Sequence, residues 1–210
     1  MLTTPQVADY HRDGFLIARG VYLHDDLQPL YDAYRDDPSF GGSLYGMLDR
    51  AGKAHPINIW VDLADDIIGL IPRMPRLVDS VEKIFDESCY HWHSKFTNKP
   101  PGCAARIDWH QDYVSWYDDG VMFPTMLTVG IALEDASREN GCLQVVPGSQ
   151  HMGLLDHEDR ENFDARVEAA KQTLGLVYCD LKQGDAVFFH SNTLHGSGPN
   201  QSQSSRLMLF

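Results

Sequence analysis

A histidine and an aspartate two residues apart, His110 and Asp112, form a pair that could bind a metal. The residues around them (104–107 before, 113 and 114 after) predict a strand, and side chains two apart on a strand point to the same face. The imidazole and the carboxylate would then start about 6–7 Å apart. A second imidazole from another strand would complete two histidines and one carboxylate, a set that suits non-haem Fe(II) in oxygen chemistry.

Two downstream histidines, His190 and His195, are candidates for that second imidazole. His190 ends an apolar run, 187–190, that follows a turn and therefore predicts a buried strand. His195 follows the next turn, and Arg206 begins a last apolar strand. A guanidinium one strand away from a metal is suited to bind a dicarboxylate through two parallel hydrogen bonds. The residue types alone leave the choice between the two histidines open.

Three separated motifs together resemble the phytanoyl-CoA dioxygenase family. The similarity runs from Asp9 to Phe210, and the motifs keep the order and spacing of the family; they are residues 109–112 (WHQD), 139–151 (ENGCLQVVPGSQH), and 195–200 (HGSGPN) with Arg206. Members of this family, which includes the ectoine hydroxylases, are Fe(II)- and 2-oxoglutarate-dependent oxygenases. The resemblance implies a mainly β fold with flanking helices around a double-stranded β-helix, or jelly-roll, core.

The same resemblance assigns expected roles to the ligand residues. His110, Asp112 and His195 would bind the iron; His195 is preferred to His190 because it has the family's glycine–serine context and an eleven-residue step to the arginine. His190 would then be a buried, hydrogen-bonded histidine. Arg206 would bind the C5 carboxylate of 2-oxoglutarate, assisted by a neighbouring hydroxyl, that of Ser197.

Further contacts are expected from the alternating segment 90–99. Lys95 and Thr97 fall at positions where the family contacts 2-oxoglutarate, and a lysine that points into a barrel requires an anionic partner; the alternative for Lys95 is a surface lysine. The expected substrate pocket contains Trp116, His93 and Trp109, and Trp116 could instead be a core tryptophan.

The reaction implied by the resemblance consumes O2 and 2-oxoglutarate and hydroxylates an unactivated C–H bond of a small metabolite or natural-product intermediate, with release of succinate and CO2. Asp112 is present where halogenating relatives carry a small residue, so hydroxylation is the expected outcome, with desaturation and ring formation left open. Two alternatives remain. One is a non-redox jelly-roll metalloenzyme, an isomerase or hydrolase using Zn or Mn. The other is a non-catalytic binding protein on the same barrel.

Length and composition limit the organisation of the chain. The 210 residues predict a single domain, 1–210, large enough to bury roughly 70% of its unfolded surface. Within it we expect mostly helical support over 1–88 and the jelly-roll core over 89–210, with a helical insertion near 156–172. Residues 36–49 contain Pro38 and three glycines, which predicts a loop; whether it acts as a lid stays open.

Charge and cysteine content restrict the partners. The formal net charge of −13 argues against nucleic acid and anionic membranes, both of which select a positive surface. Four cysteines without C-x-x-C spacing predict free thiols in a cytoplasmic protein, and no signal or membrane-spanning segment is apparent. We therefore expect a small-molecule substrate as the partner, while the oligomeric state does not follow from the sequence.

Overall fold

Two antiparallel β-sheets form the centre of the computed structural model, which describes residues 1–40 and 43–210. The larger sheet has seven strands in the order β1-β9-β6-β11-β4-β3-β2, and the smaller has four in the order β5-β10-β7-β8. The strands are Phe15–Ala18, Ser43–Leu48, Ala54–Trp60, Ser94–Lys99, Ile107–His110, Leu127–Ala132, Leu143–Val145, Val177–Tyr178, Ala186–His190, His195–Ser197 and Arg206–Leu209, β1 to β11 in chain order. The predicted mainly β, jelly-roll fold is confirmed.

Six α-helices flank the sheets. They are Thr4–Asp13, His24–Asp36, Ile67–Arg73, Pro75–Phe85, Tyr113–Asp118 and Arg160–Leu174, α1 to α6 in chain order. The last of these helices occupies the segment where the helical insertion is expected. No helix in the described part of the chain is long and apolar enough to cross a membrane.

The larger sheet buries apolar side chains on both of its faces. On the outer face, Leu27 and Leu30 of α2 and Ile84 of α4 pack in one cluster with Phe96 and Leu207 of the sheet. On the inner face a second cluster joins the two sheets; its members include Ala132, Val187 and Met208 from the larger sheet and Leu143 and Val145 from the smaller. Burial of both faces fixes the strand registers, because a one-residue slip would move every apolar side chain to the wrong side.

The end of α1 supports the loop that carries a candidate metal ligand. Gly14 ends the helix with φ 74°, in the left-handed region that glycine favours. A Cβ atom at this position would lie 2.1 Å from the side-chain oxygen of Gln150, so only glycine fits. The Gly14 carbonyl accepts hydrogen bonds from the His190 amide at 2.9 Å and the Thr193 hydroxyl at 2.7 Å. The loop leading to His195 is thereby fixed to the N-terminal helix.

The loop predicted over 36–49 is wrong over residues 43–48. These residues form β2, which pairs with β3 along its whole length; the question of a lid falls partly on residues 41 and 42, which lie outside the described residues. The glycine at position 46 led to the loop prediction, yet its Cβ position lies 3.2 Å from the Cβ of Ala54, so glycine allows the close approach of the two strands. The segment 1–88 thus contributes three strands to the larger sheet in addition to four helices.

Candidate metal centre

Three side chains that could bind a metal converge between two neighbouring strands of the smaller sheet. His110 on β5 and His195 on β10 are direct partners in the antiparallel register. The Nε2 atoms of the two imidazoles lie 3.3 Å and 3.6 Å from Oδ1 of Asp112. The candidate ligand atoms of the three residues all lie within 4.8 Å of one another. The structure therefore brings together the three residues that the sequence predicted as ligands.

The backbone at Asp112 is helical, whereas a strand was predicted there. Strand β5 ends at His110, and Asp112 has helical backbone angles, φ −57° and ψ −37°, at the start of α5. Between them, Gln111 is buried and donates hydrogen bonds of 2.8 Å to the carbonyls of Gly153 and Asn192. The predicted continuous strand over 104–114 is therefore wrong, because the buried Gln111 amide fixes a strand-to-helix turn that directs both flanking side chains to one side.

Backbone carbonyls fix the orientation of both imidazoles. Nδ1 of His110 lies 2.7 Å from the Asp108 carbonyl, and Nδ1 of His195 lies 2.9 Å from the Thr193 carbonyl. A carbonyl can only accept, so each Nδ1 carries the proton and each Nε2 presents a lone pair to the centre. Burial, followed by the neighbouring His195, lowers the pKa of His110 and favours the neutral form that binds metals.

The carboxylate of Asp112 is held at both oxygens. Oδ2 accepts a 2.9 Å hydrogen bond from the hydroxyl of Thr128 on β6, and Oδ1 faces the imidazoles. Burial alone would raise the pKa of Asp112, but the two imidazoles that face it, His195 foremost, hold it well below its usual range. Two neutral nitrogens and one ionised oxygen on one side of a cavity fit Fe(II), the ion expected from the sequence.

A buried guanidinium, that of Arg206, lies at the start of β11. Arg206 is 1% exposed, its Nη2 donates to the Thr97 hydroxyl at 3.3 Å, and its Nε has no partner among the described residues. Burial lowers the pKa of Arg206 to about 10. Within the described part of the chain it forms no salt bridge with a carboxylate, so this buried charge is suited to an anionic ligand.

Of the other predicted 2-oxoglutarate contacts, Lys95 and Thr97 share the inner face of the larger sheet with Arg206, and Ser197 lies on the smaller sheet. Lys95 is half-buried with its Nζ 5.7 Å from the centroid of the Phe210 ring, and Ser197 is buried. The hydroxyl of Ser197 accepts a 2.7 Å hydrogen bond from Nζ of Lys99, a fully buried lysine that lies outside the three motifs. The alternation of the strand could have indicated Lys99, because it places this residue on the same face as Lys95 and Thr97.

Of the three expected pocket residues, two line a cavity beside the metal centre and one does not. The rings of His93 and Trp116 lie 6.2 Å apart, and both border a cavity of about 610 Å³ that also contacts Thr128. Trp109 does not border this cavity: strand alternation places it on the face opposite His110, where it packs against α6 with Lys171 Nζ 4.2 Å from its ring centroid. Thr128, which binds Asp112, was missed because nothing local in the sequence indicates that contact.

His190, the rival metal ligand, lies outside the centre. It ends β9, and its Nδ1 accepts a 3.0 Å hydrogen bond from the Asn192 amide. Burial, followed by nearby histidines, lowers the pKa of His190 to about 4. Among the described residues, the only group of three or more metal-binding side chains is the one that contains His195.

Comparison with known proteins settles the family. The family model described as phytanoyl-CoA dioxygenase matches residues 10–208, nearly the whole chain. The chain belongs to the phytanoyl-CoA dioxygenase family. As a member of that family it is a dioxygenase of the class that uses iron and 2-oxoglutarate, as the three motifs predicted.

Relatives within the phytanoyl-CoA dioxygenase family include enzymes named for small substrates. The ectoine dioxygenase of Bordetella bronchiseptica is 25% identical over 228 residues, covering 100% of this chain and 74% of the relative. The L-proline trans-4-hydroxylase of Streptomyces griseoviridis is 30% identical over 166 residues, 70% of this chain and 62% of the relative. The fold matches the crystal structure of EctD from S. alaskensis with 2-oxoglutarate and 5-hydroxyectoine, with TM-score 0.79 and 22% identity, over 99% of this chain and 74% of that one.

Proposed function

We propose that this chain hydroxylates a C–H bond of a small metabolite in a reaction that consumes O2 and 2-oxoglutarate and releases succinate and CO2. The observation that carries the proposal is the combination of two features between the two sheets. His110, Asp112 and His195 present three ligand atoms to one point, and Arg206 provides a buried cation that forms no salt bridge within the described residues. A metal alone would explain the first feature, but only an anionic co-substrate explains the second.

In this proposal the three ligands hold iron, and each is prepared by a neighbouring group. The two Nδ1–H groups donate to carbonyls, which keeps the Nε2 lone pairs available. The Thr128 hydroxyl occupies one oxygen of Asp112, which leaves the other oxygen for the metal. Iron bound at these ligands would activate dioxygen, the oxidant, in a reaction coupled to the decarboxylation of 2-oxoglutarate.

The remaining residues orient the co-substrate and the substrate. Arg206 binds the C5 carboxylate of 2-oxoglutarate, with the hydroxyls of Ser197 and Thr97 as further donors and Lys95 adding positive charge nearby. Trp116 and His93 form the wall of the cavity in which the substrate binds. A tryptophan wall excludes water from the reacting C–H bond, and the His93 imidazole can orient a polar group of the substrate.

The substrate class follows from the relatives and from the cavity. Relatives are named for ectoine and for L-proline, both small molecules. The cavity of about 610 Å³ is large enough for such a molecule. The chain offers no basic cluster of the kind that a CoA phosphate group would require. We therefore place the substrate among small polar metabolites or biosynthetic intermediates, and the cytoplasmic location expected from the cysteines belongs to the same proposal.

The proposal is tested by measuring succinate released from 2-oxoglutarate with Fe(II), ascorbate and air across a panel of amino acids, cyclic imino acids and related metabolites. We expect succinate release that requires iron and increases with the correct substrate. Asp112→Ala should abolish both iron binding and turnover, whereas exchange of the exposed His151 for Gln should change neither. Turnover with Zn(II) but no oxygen uptake would instead favour the non-redox metalloenzyme, and iron binding without succinate release on any substrate would favour the binding protein.

A further inference from the structure

Three buried basic side chains form a row across the larger sheet. Arg206 on β11 is the direct register partner of Lys99 on β4. His55 on β3 extends the row, because it lies two residues beyond the pair formed by Ile57 and Thr97. The exposed fractions of His55, Lys99 and Arg206 are 1%, 0% and 1%. Arg206, which stays positive, and Lys99, which is positive when protonated, therefore lie side by side in the interior. An uncompensated charge is unfavourable there.

In the part of the chain that the structure describes, no carboxylate forms a salt bridge with this row. None of the three basic residues forms a salt bridge within the described part of the chain, and both ring nitrogens of His55 and the Nε of Arg206 have no partner there. The acid that acts on His55 and Lys99 is Asp49, whose oxygens already accept from the backbone amides of residues 51, 53 and 106. The acid that acts on Arg206 is Glu134, whose oxygens already accept from the hydroxyls of residues 31 and 205 and the amide of residue 207. The row therefore has the positive charge and the unpaired donors to bind an anionic ligand, a group that the described residues do not supply.

Hydrogen-bond direction shows where such a group would be bound. Lys99 Nζ donates to Ser197 Oγ at 2.7 Å and to the Gly198 carbonyl. An ammonium group can only donate, so the Ser197 oxygen is the acceptor and its own proton is directed elsewhere. Arg206 has the same relationship with the Thr97 hydroxyl. Among the described residues neither hydroxyl proton has a protein acceptor, so both are available to an anion near Arg206.

We propose that Lys99 is a positioning residue for 2-oxoglutarate: it holds the Ser197 oxygen as an acceptor, so that the Ser197 hydroxyl donates to the same C5 carboxylate that Arg206 binds. Lys99 also places a second positive charge at that end of the co-substrate. The inference rests on the proposed function and deepens it, because it adds a residue, outside the three motifs, that selects a dicarboxylate over a monocarboxylate.

The electrostatic environment of Lys99 supports this role. Burial, followed by the adjacent Arg206, lowers the pKa of Lys99 to about 7. The other charged or titratable groups around it are Arg106, which acts in the same direction, Cys103 and Asp49, which act oppositely, and His55 in the next strand. A carboxylate bound beside Lys99 raises that pKa again. Binding of 2-oxoglutarate near neutral pH should therefore take up a proton at this lysine.

The competing interpretation is that Lys99 only joins β4 to the residues after β10. In that case its replacement would weaken the fold without a specific effect on one ligand. The two interpretations can be distinguished by comparing two ligands in each Lys99 variant. 2-Oxopentanoate has the same keto acid group for the metal as 2-oxoglutarate, but a methyl group in place of the second carboxylate.

The test measures the dissociation constants of 2-oxoglutarate and 2-oxopentanoate by calorimetry on the Fe(II)-loaded protein under nitrogen, so that no turnover is involved. Lys99→Met should weaken 2-oxoglutarate binding about 10- to 100-fold, the range of a hydrogen bond that involves a charged group, and leave 2-oxopentanoate within about twofold. Lys99→Arg should recover part of the loss. The control is Lys83→Met, since Lys83 is exposed and, among the described residues, its Nζ donates to the Leu2 carbonyl, away from the row.

A second measurement needs no variant. Binding of 2-oxoglutarate to the wild-type protein is measured in buffers of different ionisation enthalpy. It should take up a fraction of a proton at pH 7 to 8, and its affinity should fall as the pH rises from 7 to 9. Binding of 2-oxopentanoate should show neither effect. Unchanged 2-oxoglutarate affinity in folded Lys99→Met, equal weakening of both ligands, or no ligand-specific proton uptake would overturn the inference while leaving the proposed function intact. Failure of the wild-type protein to bind 2-oxoglutarate at all would overturn both.

Discussion

The hydroxyl of Thr128 donates a 2.9 Å hydrogen bond to Oδ2 of Asp112, while Oδ1 of the same carboxylate lies between the imidazoles of His110 and His195. One oxygen of Asp112 is therefore held by a hydroxyl on β6, while the other faces the two imidazoles on β5 and β10. A carboxylate held in this way offers one oxygen to a metal and keeps its plane fixed, as supporting contacts do at many metal sites.

Removal of the Thr128 hydroxyl should therefore weaken the metal site. We expect Thr128→Val to lower Fe(II) affinity about 10-fold, at the lower end of the range for lost supporting contacts, and Thr128→Ser to retain it. Competition with a chelator under nitrogen measures both constants. Equal affinity in the valine variant and the wild type would show that Asp112 is positioned without the hydroxyl.

The two tryptophans near the centre should differ in their effect on substrate binding. Trp116→Ala should raise the substrate KM, because Trp116 lines the cavity, and should also lower the unfolding free energy, because its ring is buried. Trp109→Ala should cost roughly 1–3 kcal/mol of unfolding free energy, because it removes a ring packed on α6, and should alter the substrate KM little. Substrate-dependent succinate release and urea denaturation of both variants check this; a larger KM effect from Trp109 would contradict the placement of the two rings.

Acid stability should depend on His55. Burial, followed by Lys99 and Arg206, lowers the pKa of His55 to about 4, below the value of about 6.5 in the unfolded chain. The folded state then binds fewer protons between these values, so the stability from neutral His55 is complete above pH 6.5 and is lost as the pH falls toward 4.

We therefore expect His55→Leu to flatten the fall in Tm between pH 6.5 and 4.5, with an effect of roughly 1–3 kcal/mol across the window. The exposed His24, changed to Gln, is the control and should leave the pH profile as it is in the wild type. Parallel profiles for His55→Leu and the wild type would refute the assignment.

The buried amide of Gln111 should be essential to the turn between two ligands. Gln111→Leu removes two donated hydrogen bonds and one accepted from the Leu155 amide at 2.9 Å, and leaves the backbone partners buried. We expect a loss of about 2–4 kcal/mol in unfolding free energy together with weaker Fe(II) binding. Urea denaturation and metal titration measure the two effects. Loss of metal affinity at full stability would show that the amide acts only on the ligands.

Local sequence signals predicted the parts of the fold that depend on neighbours in the chain. A glycine after a helical pattern, as at Gly14, predicts the end of a helix, and α1 ends there with the left-handed backbone that a helix C-terminus favours. The short apolar run Phe15–Ala18 predicts a strand and forms one. The pair Thr4-Pro5 predicts an N-cap and a first helical residue, but the N-cap is Thr3, whose side chain accepts from the Gln6 amide, and the helix begins at Thr4.

Contacts between distant segments could not be read from local patterns. The periodicity of β4 placed Lys99 on the inner face, but only the register with β11 and the approach of Ser197 show that it is buried beside Arg206. Similarly, Asp112 was assigned to a strand because the turn depends on carbonyls of residues 153 and 192, more than 40 positions away. The ligand identities were nevertheless predictable, because they came from a resemblance over three motifs.

The direct pairing of His110 with His195 has a consequence for the motions of the smaller sheet. These two residues face each other across one rung of the ladder between β5 and β10, and the register shifts immediately beyond them at Ser197. An ion held by both side chains would act as a cross-link between segments 85 positions apart in sequence. Amide hydrogen exchange along β10 should therefore slow on metal loading far more than exchange in β2, at the opposite edge of the other sheet.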